Sequence, residues 1–66
     1  MDATIYEKNL ENIYATFGRV ALVPLLAVAE FVGMNWRTLR DDKKFPVKKI
    51  GGRYYVASVA LARWLS

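Results

Sequence analysis

A chain of 66 residues makes one small domain, and at this size folding buries only about 60% of the unfolded surface, so the core is marginal. With no cysteine and no histidine, disulfides and the usual zinc sets are excluded, and packing or self-association must supplement the core; an apolar content of 55% favours packing. The net charge of +4 is uneven, with one base and three acids in residues 1–18 and nine bases and three acids in residues 19–66.

Met1 reads as the start of a complete open reading frame, so one domain is expected to act without a second. The first segment, TIYEKNLENIYATFG, carries a capping box in which Thr4 and Glu7 satisfy each other's amides. A helix over 5–17 follows, since Tyr6, Leu10, Ile13, Tyr14 and Phe17 recur at three- and four-residue spacing. Gly18 ends it. This face is to be covered either by its own domain, which the marginal core favours, or by a partner chain.

RVALV, residues 19–23, is β-prone and short enough to pair as a third strand with a later hairpin. The apolar run VALVPLLAVA, residues 20–29, falls far short of the roughly 20 residues of a membrane span and contains Pro24. It also lacks the setting of a signal peptide. Proline suits a first helical turn, and Leu25, Val28, Ala29 and Val32 form a stripe that predicts a helix over 24–32. Gly33 closes it, and Asn35 caps a second helix over 36–42. In that helix Trp36 and Leu39 lie on one side, while Arg37, Arg40 and, at the end, Lys44 project away.

Phe45-Pro46 then stops the helix, because the residue before proline is pushed toward extended geometry. FPVKKIGGRYYV, residues 45–56, joins two strand-like runs through Gly51-Gly52, which suits a two-residue turn whose central positions both need positive φ. That loop sets Val47 opposite Val56, Lys48 opposite Tyr55, Lys49 opposite Tyr54 and Ile50 opposite Arg53. Val47, Tyr54 and Val56 share the core face, with Lys48, Arg53 and Tyr55 on the other. Lys49 falls on the core side, so either its stem snorkels out or the register slips by one. ASVALARWLS reads as a closing helix capped by Ser58, with Val59, Leu61, Ala62, Trp64 and Leu65 buried.

No catalytic constellation is visible, and enzyme function is not expected. There is no histidine to serve a nucleophile, and the carboxylates are scattered; Asp41-Asp42, flanked by Arg40 and Lys43, reads as surface ion pairing. No metal site and no cofactor are expected. Seven bases between residues 35 and 56, against Asp41 and Asp42, are the footprint of a polyanion partner or, equally, of a solvated basic face. A helix pair followed by a basic hairpin is the outline of a winged-helix reader of duplex DNA. The fold expected is thus α+β, a small winged helix-turn-helix with an antiparallel hairpin wing over 19–66 and an extra amphipathic helix over 1–18.

On that reading Asn35, Arg37, Thr38 and Arg40 are the recognition-helix contacts, with arginine forking onto guanine O6 and N7. Lys43, Lys44 and Lys48 meet phosphates, or are simply solvated. Gly52, Arg53 and Tyr55 make the wing contacts, Arg53 entering a minor groove. Trp36 and Tyr54 fit the core better than a stacking platform for single strands, whereas Tyr55, on the basic face, is more open to a nucleic-acid role.

AVAEFVGMNWRTLR, then FPVKKIGGRYYV, then LARWL resembles the excisionase-like, AlpA-type winged-helix proteins of the MerR-like group, over residues 22–65. The resemblance implies a small accessory protein of a phage, plasmid or other mobile element. It would act as a recombination directionality factor, with an integrase or recombinase as a second partner, or as a transcription regulator. Arg37, Thr38, Arg40 and Arg53 are the matching contact positions. The stretch from Thr38 to Pro46 is about one helical turn shorter than in typical relatives, which leaves contacts beyond Arg40 unassigned, and the N-terminal helix lies outside the pattern. A cytoplasmic, nucleoid-associated location is expected, consistent with the absence of cysteine. So is a monomer or weak, cooperative self-association on DNA. From another class, the same chain would be a protein-interaction module docking through Leu10, Ile13 and Phe17.

Overall fold

A computed structural model describes residues 3–66, so Met1 and Asp2 lie outside it. In chain order the elements are α1 (Ala3–Phe17), β1 (Leu22–Pro24), α2 (Leu25–Val32), α3 (Trp36–Asp41), β2 (Val47–Ile50), β3 (Arg53–Ala57) and α4 (Ser58–Leu65). The three strands form one antiparallel sheet in the order β1-β3-β2. This is a small α+β fold. Among the described residues no helix is long and apolar enough to cross a membrane.

The hairpin follows from its turn. Gly51 and Gly52 take φ of 57° and 80°, values that penalise any Cβ, and the two-residue loop sets Val47 opposite Val56 and Ile50 opposite Arg53. The register is the expected one, so Lys49 does face the core side. Lys49 is nevertheless exposed, with its ammonium 5.8 Å from the Tyr54 ring centroid, so the side chain snorkels and the register does not slip.

Residues 19–21 form a turn where a strand was expected: Val20 N–H donates to the Gly18 carbonyl at 2.9 Å, and pairing starts only at Leu22. Pro24 is the last residue of β1, opposite Tyr55, and α2 begins after it, at Leu25. An edge strand tolerates a proline because the missing donor faces no partner. α1 begins at Ala3, two residues earlier than expected, so Thr4 lies within its first turn.

Nearly every element contributes to one core. Ile13, Val28, Leu39, Val56 and Leu61 are fully buried, and Val23, Leu25, Phe45, Ala29 and Ala62 complete the cluster. α1 therefore folds onto its own domain. It packs on α4, where Asn9 Nδ2 donates to the Ala62 carbonyl at 3.4 Å and to Ser66 Oγ at 3.3 Å, and Phe17 meets Phe31 edge-on at 5.3 Å. Leu10 and Phe17 also pack against the core.

α4 corrects several expectations. Ser58 is its first residue and does not cap it; Ala57 holds the cap position without a side-chain bond. The Ser58 hydroxyl, buried, donates to the Val20 carbonyl at 2.6 Å, and its N–H donates to the Ala21 carbonyl at 2.9 Å. Ser58, Leu61 and Ala62 thus make the inward stripe, which turns Val59 outward to 46% exposure. Leu65, the last residue of α4, is 36% exposed. Trp64 is half-buried, edge-on to Phe45 at 4.8 Å. Phe45, read from sequence only as a helix stop, is a core residue.

Ile13→Ala should cost about 2–5 kcal/mol in chemical denaturation, the range for emptying a buried aliphatic site. Val59→Ala should change stability by no more than about 0.5 kcal/mol, as for an exposed position.

Candidate nucleic-acid interface

The turn between α2 and α3 is closed from both sides. Gly33 takes φ 74° and Met34 N–H donates back to the Ala29 carbonyl at 3.0 Å, which ends α2 in a left-handed cap. Asn35 Oδ1 then accepts from the Arg37 N–H at 2.8 Å and starts α3. This bond limits Asn35 as a DNA contact. A bidentate grip on adenine needs both amide atoms, and with Oδ1 committed only Nδ2 is left to donate.

α3 is held from below by Leu39, its one buried residue, and by Trp36, half-buried against the core. Arg37 and Thr38 are exposed on the outer side. The two arginines do not simply project into solvent, as expected from sequence. The Arg37 guanidinium carbon lies 5.4 Å and that of Arg40 5.0 Å from the Trp36 ring centroid. Arg40 is further tied by Nε at 3.0 Å and Nη2 at 3.4 Å to the two oxygens of Asp41. Donation from Arg40 holds the Asp41 carboxyl below its ordinary range, and the same bond raises the Arg40 guanidinium above its own. Both groups stay charged at neutral pH.

Beyond α3, Asp42 Oδ1 accepts from the Lys44 N–H at 2.8 Å and folds the chain into the loop that drops Phe45 into the core. Lys43 and Lys44 stand exposed on this loop, and Lys48 is exposed on β2 opposite Tyr55. At the hairpin, Gly52 and Arg53 are exposed and Tyr55 is half-buried.

β1 stops opposite Tyr55, so Arg53 and Tyr54 have β2 on one side and no strand on the other. A groove of about 440 Å³ opens there, lined by Pro24, Leu25, Leu26, Trp36, Arg53, Tyr54 and Tyr55. It brings the start of α3 and the hairpin onto one surface. Arg37 and Arg40 stand over Trp36, Lys49 stands over Tyr54, and Arg53 lies on the groove itself. Trp36 and Tyr54 are thus groove walls as well as core contacts, where sequence reading gave them to the core. The signals were present: Trp36 and Arg40 are four apart on a helix, and Lys49 and Tyr54 are a cross-strand pair.

Set against known proteins, the chain matches no family model, no curated protein and no solved structure.

Asn35→Ala should lower stability by about 1 kcal/mol, the usual cost of losing an N-cap. The amide of Arg37 should also exchange faster with solvent, measured by NMR.

Proposed function

We propose that this chain reads duplex DNA as a winged helix-turn-helix protein, with α2 and α3 as the helix pair, α3 as the recognition helix and the β2–β3 hairpin as the wing. The observation that carries the reading is the shared surface: Arg37 and Arg40 of α3 and Arg53 of the hairpin are grouped around the groove walled by Trp36 and Tyr54. A solvated basic face kept for solubility does not require its cations to be mounted on aromatic rings. Arg37 and Arg40 lie over the Trp36 ring, a contact that restrains them before a partner arrives.

Six residues make α3 about 9 Å long, a length that fits within a major groove of about 12 Å. There the Arg37 and Arg40 guanidinium groups fork onto guanine, while Thr38 and the Asn35 Nδ2 serve a base edge or a nearby phosphate. Lys43, Lys44 and Lys48 supply phosphate contacts and salt-dependent affinity. Gly52 leaves room for close backbone approach, and Arg53 and Tyr55 meet the minor groove and the sugar-phosphate chain. No cofactor enters this reading.

The role as an excisionase-like accessory factor of a mobile element, working with an integrase, is supported by the sequence motifs of residues 22–65. The same contacts would serve a small transcription regulator. The docking alternative is less well supported, because Ile13 is fully buried and Leu10 and Phe17 pack against the core of the chain itself.

Selection of bound fragments from a genomic duplex pool, with affinity followed against salt, tests the proposal. A defined motif is expected, in repeats beside an integrase gene for the excisionase role or overlapping a promoter for the regulator. Uniform binding with a steep salt dependence would overturn sequence reading. On the selected site, Arg37→Ala should cost about 1–3 kcal/mol and relax one base position, whereas Lys44→Ala should weaken all sequences alike and reduce the salt slope by about one.

A further inference from the structure

We infer that Trp36 and Asp41 form a positioning clamp that presents one edge of Arg40 to a base and withholds the other from phosphates. The inference rests on the DNA-reading proposal and adds two residues that the recognition set did not include.

The geometry of the guanidinium carries it. Arg40 Nε and Nη2 meet the two Asp41 oxygens at 3.0 and 3.4 Å, so the side edge of the guanidinium is occupied. The guanidinium carbon also lies over the Trp36 ring, 5.0 Å from its centroid. Arginine has five N–H donors in a fixed fork. The Asp41 contacts use the Nε hydrogen and one Nη2 hydrogen, which leaves three, among them the end-on pair, one hydrogen each on Nη1 and Nη2. That pair matches guanine O6 and N7. The plane of the fork is set before DNA arrives, so less rotamer freedom is lost on binding.

Asp41 has a second effect. Its carboxylate, with 68% of the side chain exposed, offsets the Arg40 charge and repels nearby phosphates. Sequence-independent attraction through counterion release is thereby reduced, while the correctly placed guanine still receives both donors. The clamp raises the ratio of specific to non-specific affinity more than it raises affinity itself.

The test uses the full chain, a duplex selected from a random pool and a scrambled duplex of equal length, each titrated over a salt series. Asp41→Asn keeps the side-chain shape at an exposed position and removes the charge. It should tighten binding to the scrambled duplex, steepen its salt slope by about one, and lower the specificity ratio by roughly 3- to 10-fold. Asp42→Asn removes an equal charge next door and keeps the oxygen that accepts from Lys44; it should tighten both duplexes and leave the ratio unchanged. Trp36→Leu should lower the ratio without altering the salt slope, and Trp36→Phe, which keeps a ring, should retain most of it. An unchanged ratio in Asp41→Asn, with Arg40→Ala lowering it, would sink the clamp and leave DNA reading intact. No effect of Arg40→Ala on the ratio would also overturn it. If the unaltered chain does not distinguish the two duplexes, the DNA-reading proposal itself fails and the clamp with it. Should Trp36→Leu fail to fold, Asp41→Asn decides alone.

Discussion

α3 is attached to the rest of the molecule through Leu39, the one buried side chain among its six residues. So short a helix has little stability of its own, since nucleation is costly and few hydrogen bonds follow it. Its position depends on the burial of Leu39, 0% exposed, in the core cluster to which β1, α2, β3 and α4 contribute. The helix is closed at the front by Asn35 and at the back by the Asp42 turn. Everything that α3 presents outward is oriented by Leu39, by Trp36 packed beside it on the core, and by these two stops.

A core this small has no redundant part. Because α1, β1, α2, α3, β3 and α4 each supply at least one buried side chain, the N-terminal helix is structural, burying Ile13 and packing against α4. The acids at Glu7 and Glu11 are thereby placed on a helix that packs against α4, while the arginines and lysines of α3, the following loop and the hairpin stand elsewhere on the chain. Charge asymmetry along the sequence thus becomes an asymmetry between elements. Aromatic rings at the groove add a local effect: each of Trp36 and Tyr54 is packed on the core on one part and carries cations on another.

Local rules recovered much of the fold. Gly51-Gly52 sets a two-residue turn, and with it every pair of the hairpin, because the side-chain period of a strand leaves no freedom once the loop is counted. Gly33, Asn35 and the apolar stripe through Leu25, Val28 and Ala29 likewise mark the α2–α3 pair by short-range hydrogen bonding and helical spacing. The basic candidate residues were legible by charge alone. Where the reading went astray, a distant partner decided the outcome. Ser58 looks like a cap because serine bonds nearby amides, yet its hydroxyl bonds a carbonyl 38 residues away. That bond placed Ser58 inward and rotated Val59 out. Phe45 looked like punctuation and is core, where it packs perpendicular to Trp64, 19 positions on.

By itself the sequence determined the helix pair, the hairpin with its register and the concentration of positive charge after residue 35, because each depends on residues within a few positions of one another. Only the tertiary structure decided that α1 is part of the core, that β1 ends early enough to open a groove, and that Trp36 and Tyr54 wall it with cations above them. It also showed Arg40 tied to Asp41 and turned onto Trp36. These features arise from contacts between elements far apart in the chain, and from a choice among rotamers that a flexible arginine makes only when its neighbours are in place.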